Sequence, residues 1–154
     1  MQRRDFLQAF GSATVLAPLV VTGLLSPGPA LAVSFNRAAF DAKTAADALR
    51  LIGAAGAEAS RDILLKAPEV AENGAAVPIE VISSIPGTRR LSVLIDKNPL
   101  PLALQFNFAP EAAARFQAKL RMAESSRLRV VATAGGKHYT VFREVKVTVG
   151  GCGD

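Results

Sequence analysis

The chain has 154 residues and a mass of 16.1 kDa, the size of one domain. Half of it is hydrophobic and 20% is charged, which supplies a core and excludes disorder for the bulk of the chain. One Cys, one His, one Tyr and no Trp leave no material for an internal disulfide framework or a multi-ligand Cys/His metal cluster. The formal charge of +5 includes basic residues at the extreme N-terminus that belong to a separate segment.

That segment, residues 1–32, has three parts in order: Arg3 and Arg4, an apolar stretch from Ala13 to Leu25, and the small-residue sequence Ala30-Leu31-Ala32. This is the layout of a secretory signal peptide. Arg3-Arg4-Asp5-Phe6-Leu7 is more specific and reads as a twin-arginine signal, which exports folded proteins to the periplasm. A membrane anchor fits less well, because Pro18 and Gly23 break the apolar stretch, which falls short of the ~20 residues that span a bilayer. Cleavage after Ala32 leaves 16 Lys+Arg against 12 Asp+Glu over 122 residues. The mature chain is thus mildly basic, which favours anionic ligands or acidic partner surfaces. Its basic residues are scattered, so nothing points to nucleic acid.

Residues 33–60 read as a helical segment. Phe40, Ala48, Leu49, Leu51 and Ile52 stand loosely at helical spacing from Asn36, a plausible N-cap, to about Gly56. Ile63, Leu64 and Leu65 follow as a short apolar run ended by Pro68, read as a strand with a helix as the alternative.

Beyond Pro68 the pattern turns to period two. Asn73-Gly74 is a turn signal before a strand from Val77 to Ile82, with Pro78 marking an edge or a strand start. Leu91, Val93 and Ile95 alternate with Ser92, Leu94 and Asp96. Asn98-Pro99-Leu100-Pro101 forces a turn into a strand with Leu102, Leu104, Phe106 and Phe108 on one face. Pro110 to Arg115 could form a single helical turn before the alternating run Phe116 to Met122. Leu128, Val130 and Ala132 lead to a hairpin turn at Gly135-Gly136, and a last strand or two covers Lys137 to Val149. Phe106, Phe108, Phe116 and Phe142 are expected in the core, and Arg89 and Arg90 on a solvated loop. Roughly seven short strands in about 90 residues, residues 61–149, spell an immunoglobulin-like antiparallel β-sandwich, with a small barrel as the alternative.

The chemically conspicuous residue is Cys152, in Gly150-Gly151-Cys152-Gly153-Asp154. Flanking residues without side chains make residues 150–154 a thin, flexible arm, and the thiol on it should be exposed. Three residues beyond Val149 carry the sulfur up to roughly 10 Å past the sheet, which suits delivery into a partner's pocket. The free thiol is only partly ionised at neutral pH, so its activation would have to come from a partner's positive groups.

The chain resembles the SoxY family of sulfur carriers of the Sox thiosulfate-oxidising system. The resemblance runs through the twin-arginine signal, Ala71-Glu72-Asn73-Gly74-Ala75-Ala76-Val77-Pro78, the Asn98-Pro99 turn and the ending Val147-Thr148-Val149-Gly150-Gly151-Cys152-Gly153. Family members end in Gly-Gly-Cys-Gly-Gly, where this chain carries Asp154. The resemblance implies a covalent carrier without a catalytic site or cofactor of its own. Cys152 would be joined to thiosulfate by a haem protein, SoxA with SoxX. SoxB would release sulfate, and SoxC with SoxD would oxidise the remaining sulfane sulfur. SoxZ would be the heterodimer partner, leaving the cytoplasm together with the folded carrier.

Two other readings use the same residues. In one, Cys152 is a catalytic nucleophile with His138 as its base, although a glycine-rich arm is poorly suited to hold a thiol within the ≈ 2.6–3.2 Å of proton transfer. In the other, the chain is an exported β-sandwich that serves structure or interaction only. Asn73-Gly74 and Asn98-Pro99 read as turn formers rather than binding residues.

Overall fold

The computed structural model describes residues 35–148. The signal segment, the cleavage point after Ala32 and residues 149–154, with Cys152, lie outside the described residues.

The helical segment is split in two, α1 (Arg37–Asp41) and α2 (Ala45–Leu51), where the sequence led us to expect one helix. The reason is a second cap. Thr44 is extended, its Oγ1 accepts from the Asp47 backbone N–H at 3.1 Å and donates to the Asp47 carboxylate at 2.7 Å, and this starts a new helix rather than continuing the old one. Asn36 caps α1 as anticipated, accepting from the Ala39 N–H at 3.1 Å, and its amide donates to the Leu51 carbonyl at 2.9 Å, tying the two helices together.

Nine strands follow among the described residues: β1 (Glu58–Ala59), β2 (Ile63–Lys66), β3 (Val70–Ala71), β4 (Val77–Ser83), β5 (Thr88–Ile95), β6 (Leu102–Asn107), β7 (Arg115–Leu120), β8 (Ser126–Ala134) and β9 (Lys137–Val147). One sheet runs β1-β9-β8-β5-β6, with β3 also on β9, and the other runs β2-β4-β7. Neighbours pair antiparallel except for the two-residue strands β1 and β3, which lie parallel to β9. Gly135 and Gly136 both have positive φ, 56° and 77°, which suits the two-residue turn joining β8 to β9. Pro78 stands near the start of β4, past Lys66, the last β2 residue paired to that strand, so it interrupts no rung there.

The two sheets form the immunoglobulin-like sandwich. Leu91, Val93 and Ile95 of β5 and Leu128 and Val130 of β8 meet Ile63, Leu65, Val77, Ile79 and Val81 from the smaller sheet. Each such fully buried aliphatic side chain contributes roughly 1.5–3 kcal/mol relative to exposure. The helices cover the opposite face of the large sheet, where Leu94, Leu102 and Val131 pack with Ala39, Ala48 and Ile52. That explains why Leu94, the "polar-side" member of its alternation, is fully buried.

Several local expectations change. Phe142 is 54% exposed and Phe106 39% exposed, so neither is a core residue, whereas Phe108 and Phe116 pack against the core. Phe142 has the opposite strand parity to Val145, so it points away from the sandwich, and its ring lies 4.5 Å from the Arg127 guanidinium. Arg89 and Arg90 sit on β5 rather than in a loop, with Arg90 Nε donating to the Asn107 side chain at 2.9 Å. Residues 110–115 hold a turn closed by the Ala112 N–H on the Ala109 carbonyl at 3.1 Å, and no helix.

Candidate functional site

The structure describes the end of β9 up to Thr148, four residues before Cys152 in the sequence. Main-chain pairing of β9 with β8 ends at Ser126 and Val145. Past that point a side chain takes over the ladder: Ser125 Oγ accepts from the Val147 N–H at 2.9 Å and donates to the Val147 carbonyl at 3.3 Å. On the other side of β9 the Lys146 N–H donates to the Glu69 carbonyl at 2.9 Å and the Thr148 N–H to the Ala71 carbonyl at 3.0 Å. The strand is therefore held on both sides up to Thr148.

The two asparagine motifs meet at this same end of the sandwich. Gly74 is not among the glycines with positive φ, so backbone conformation does not call for it. Space does: an added Cβ would lie 2.6 Å from the Met122 carbonyl oxygen and 2.8 Å from Val147 Cγ1. The Gly74 carbonyl accepts from the Met122 N–H at 2.7 Å, and the Asn73 side chain accepts from the Ala75 N–H at 2.9 Å to set the turn. Asn98 reaches in from its own loop, donating to the Arg121 carbonyl at 2.7 Å and accepting from the Ala123 N–H at 2.9 Å. Both motifs are turn formers, as expected, but both also grip residues 121–123. Ser125 and β3 escaped the sequence reading; their only signal there was position, since contacts across 22 and 77 residues leave no local pattern.

His138 is at the other end of β9, where its Nδ1 lies 3.0 Å from Thr133 Oγ1 and its Nε2 lies near the Gly53 backbone. It is half-buried rather than a plain surface residue. Ten residues of strand between His138 and Thr148 span about 33 Å, whereas four extended residues from Thr148 to Cys152 reach only about 13 Å. One chain cannot bring His138 and Cys152 together. Arg90 lies at that same distant end, opposite Thr133, with Arg89 in the register shift between Thr88, which pairs with Ala134, and Arg90.

The outer face of the smaller sheet carries a shallow concavity lined by Lys66, Pro68, Pro78, Glu80, Gln117 and Lys119. Lys66 Nζ donates to Glu80 at 2.7 Å and Gln117 donates to it at 3.3 Å, and the lysine bond first, then the glutamine bond, holds the Glu80 carboxyl below the usual carboxylate range. Its charge is internally matched.

The family model of sulfur oxidation protein SoxY matches residues 49–152, which takes in both sheets and ends on Cys152. The chain belongs to the SoxY family. Among solved structures, it is similar to the sulfur carrier protein SoxY from Chlorobium limicola f thiosulfatophilum, at 40% identity, with 71% of this chain and 96% of that one covered and a TM-score of 0.63. None of the curated proteins compared is similar to it. Membership in SoxY places the chain in sulfur oxidation, and the similar solved structure is that of a sulfur carrier. In SoxY terms, the platform of β3, Gly74, Ser125 and the end of β9 is the body to which the Gly150-Gly151-Cys152-Gly153 segment is joined.

Proposed function

We propose that this chain is a periplasmic sulfur carrier, exported by the twin-arginine pathway, that holds thiosulfate-derived sulfur covalently on the Cys152 thiol. The observation that supports the reading is the placement of the chain's only cysteine four residues beyond Thr148, whose N–H is bonded to the Ala71 carbonyl at the end of the sandwich. Covalent carriage needs a nucleophile that can enter several partner sites, and a thiol flanked by Gly150, Gly151 and Gly153 suits that need.

Loading joins the Cys152 sulfur to the outer sulfur of thiosulfate. The new S–S bond releases two electrons, taken up by the haem protein SoxA with SoxX, and the thiol proton goes to solvent. Water then splits the sulfur–sulfonate bond in SoxB, leaving sulfate and a Cys152 persulfide, whose sulfane sulfur SoxC and SoxD oxidise. SoxZ is the heterodimer partner. The carrier itself contributes no acid, base or cofactor to these steps. Asp154 adds a negative charge two residues from the thiol, where other members have glycine.

Intact mass of the mature protein from the periplasmic fraction of thiosulfate-grown cells, before and after reductant, tests the reading. Reductant-labile additions of sulfur or thiosulfate on the wild type, absent from Cys152→Ser, are expected. Unmodified thiol or simple disulfide dimer alone, with the oxidising enzymes present, would refute it, and recovery of the protein solely in the cytoplasm would refute the export.

A further inference from the structure

We infer that the open edge of β7 is a docking site for an extended segment of a partner protein in which apolar and acidic residues alternate, added to the smaller sheet as a fourth strand. This goes beyond the carrier reading and does not depend on it. Among the described residues β7 has β4 on one side and no strand on the other. The Ser83 N–H donates to the Ala114 carbonyl at 2.9 Å, and the register Val81↔Phe116, Ile79↔Ala118 and Val77↔Leu120 repeats that pairing at every second residue. The backbone N–H and C=O groups of Phe116 and Ala118 therefore face β4, and those of Gln117 and Lys119 face outward. No hydrogen bond reaches the Gln117 or Lys119 N–H among the described residues. Pro78, opposite Lys119, fits this arrangement, because its nitrogen, which has no proton to give, points away from β7.

The side chains of β7 specify the incoming strand. Phe116 and Ala118 face the core, and the Phe116 ring lies 4.4 Å, centroid to centroid, from Phe106 of edge strand β6, which remains 39% exposed. A strand laid on β7 places alternate side chains beside these rings, which calls for apolar residues. Its other side chains stand next to Arg115, Gln117 and Lys119 and extend the concavity that holds Pro78 and Glu80. Arg115 and Lys119 are exposed and form no salt bridge among the described residues, whereas Glu80 is already matched by Lys66. Acidic residues at the alternate positions of the partner meet both cations. The same charges disfavour a second copy of this chain. An antiparallel pair of β7 strands centred on Gln117 sets Arg115 opposite Lys119 in both halves, and the neighbouring registers set Arg115 opposite Arg121 or Lys119 opposite itself. The nearby edge of β6 carries Gln105 and Asn107 in place of cations, so it makes no such selection.

The probe is a blocked peptide of about ten residues alternating valine and glutamate, long enough to cover β7, with a valine–lysine peptide as its control. Amide hydrogen exchange of the isotope-labelled protein is followed by NMR with and without peptide. Slower exchange at Gln117 and Lys119, with Phe116 and Ala118 nearly unchanged, is expected, because only the outward amides gain a partner. Lys119→Glu should weaken the valine–glutamate peptide about tenfold and tighten the valine–lysine one. Gln117→Pro removes an outward donor but no rung to β4, so it should abolish binding while the circular dichroism of the fold is kept. If Gln117→Pro does not fold, Lys119→Glu still decides. No binding at millimolar peptide, equal binding of the two peptides, or protection at Gln105 and Asn107 on β6 instead overturns the proposal. Protection of Gln117 and Lys119 that rises with protein concentration in the absence of peptide also overturns it, and gives the edge to a second copy of this chain.

Discussion

Leu94 tests whether α1 and α2 seal the large sheet. Its side chain is fully buried among Ala39, Ala48, Ile52, Leu102 and Val131, on the face away from the sandwich core. Leu94→Ala removes three carbon groups, worth about 2.4 kcal/mol at ~0.8 kcal/mol each. The cavity left behind adds to this, but two short helices can settle partly into it, so about 3 kcal/mol is expected in total. Over the roughly 114 residues described, the unfolding entropy near the midpoint is about 240 cal/mol/K, which converts 3 kcal/mol into a Tm drop of about 12 °C. The assay is urea unfolding followed by far-UV circular dichroism, read as a shift in midpoint at constant slope. Leu64→Ala is the control, since Leu64 faces outward on β2 and is 47% exposed. A Leu94→Ala loss below about 1 kcal/mol, no larger than that of Leu64→Ala, would show that the helices do not enclose this face.

Thr44→Ala removes the cap that starts α2 and should cost about 1 kcal/mol, visible as a Tm drop of about 4 °C, whereas Thr44→Ser should keep most of it. Glu80→Gln should flatten the acid limb of stability against pH. The lysine bond holds the native carboxyl below its unfolded value, so its contribution is present above the carboxylate range and is lost as pH falls through and below that range. Thermal melts of both proteins from neutral to strongly acidic pH check this, and parallel curves would refute it. Asp96→Ala should destabilise by about 1–3 kcal/mol, because Arg129, 3.3 Å away and half-buried, loses its partner while its Nε has no other. Asp96→Ala combined with Arg129→Met should recover much of that loss, and additive single losses would count against the pairing.

The sandwich was legible in the sequence because its strands obey period two through their core-facing residues. Val77, Ile79 and Val81 alternate as β4 does, and Leu128 and Val130 as β8 does. Phe142 was legible too, had strand parity been preferred to hydrophobicity, since it stands three positions from Val145 and must face the other way. Phe106 was not, because it lies on the inward parity but on edge strand β6, where the sandwich is open to solvent. The split of the helix was written in Thr44 and Asp47, a local signal masked by the surrounding alanines. The thiol stood out by composition and by its glycine flanks. The contacts at the end of β9 did not, because Ser125 on Val147 and Asn98 on residues 121–123 are pairings that only the closed fold creates.

The interior position of β9 in its sheet also governs when the fold can close. β8 borders it on one side and β1 and β3 on the other, with partners some 80 residues apart in sequence. During synthesis, β1 and β3 emerge early and have nothing to pair with until β9 appears, so the large sheet forms late and by slow, long-range closure. A chain interrupted before β9 leaves β8 as an open edge, exposed to proteolysis and to pairing with other chains. Since Cys152 is translated only a few residues after β9, nearly every chain able to complete the sandwich also carries the thiol. A product that ends before β9 cannot complete the large sheet.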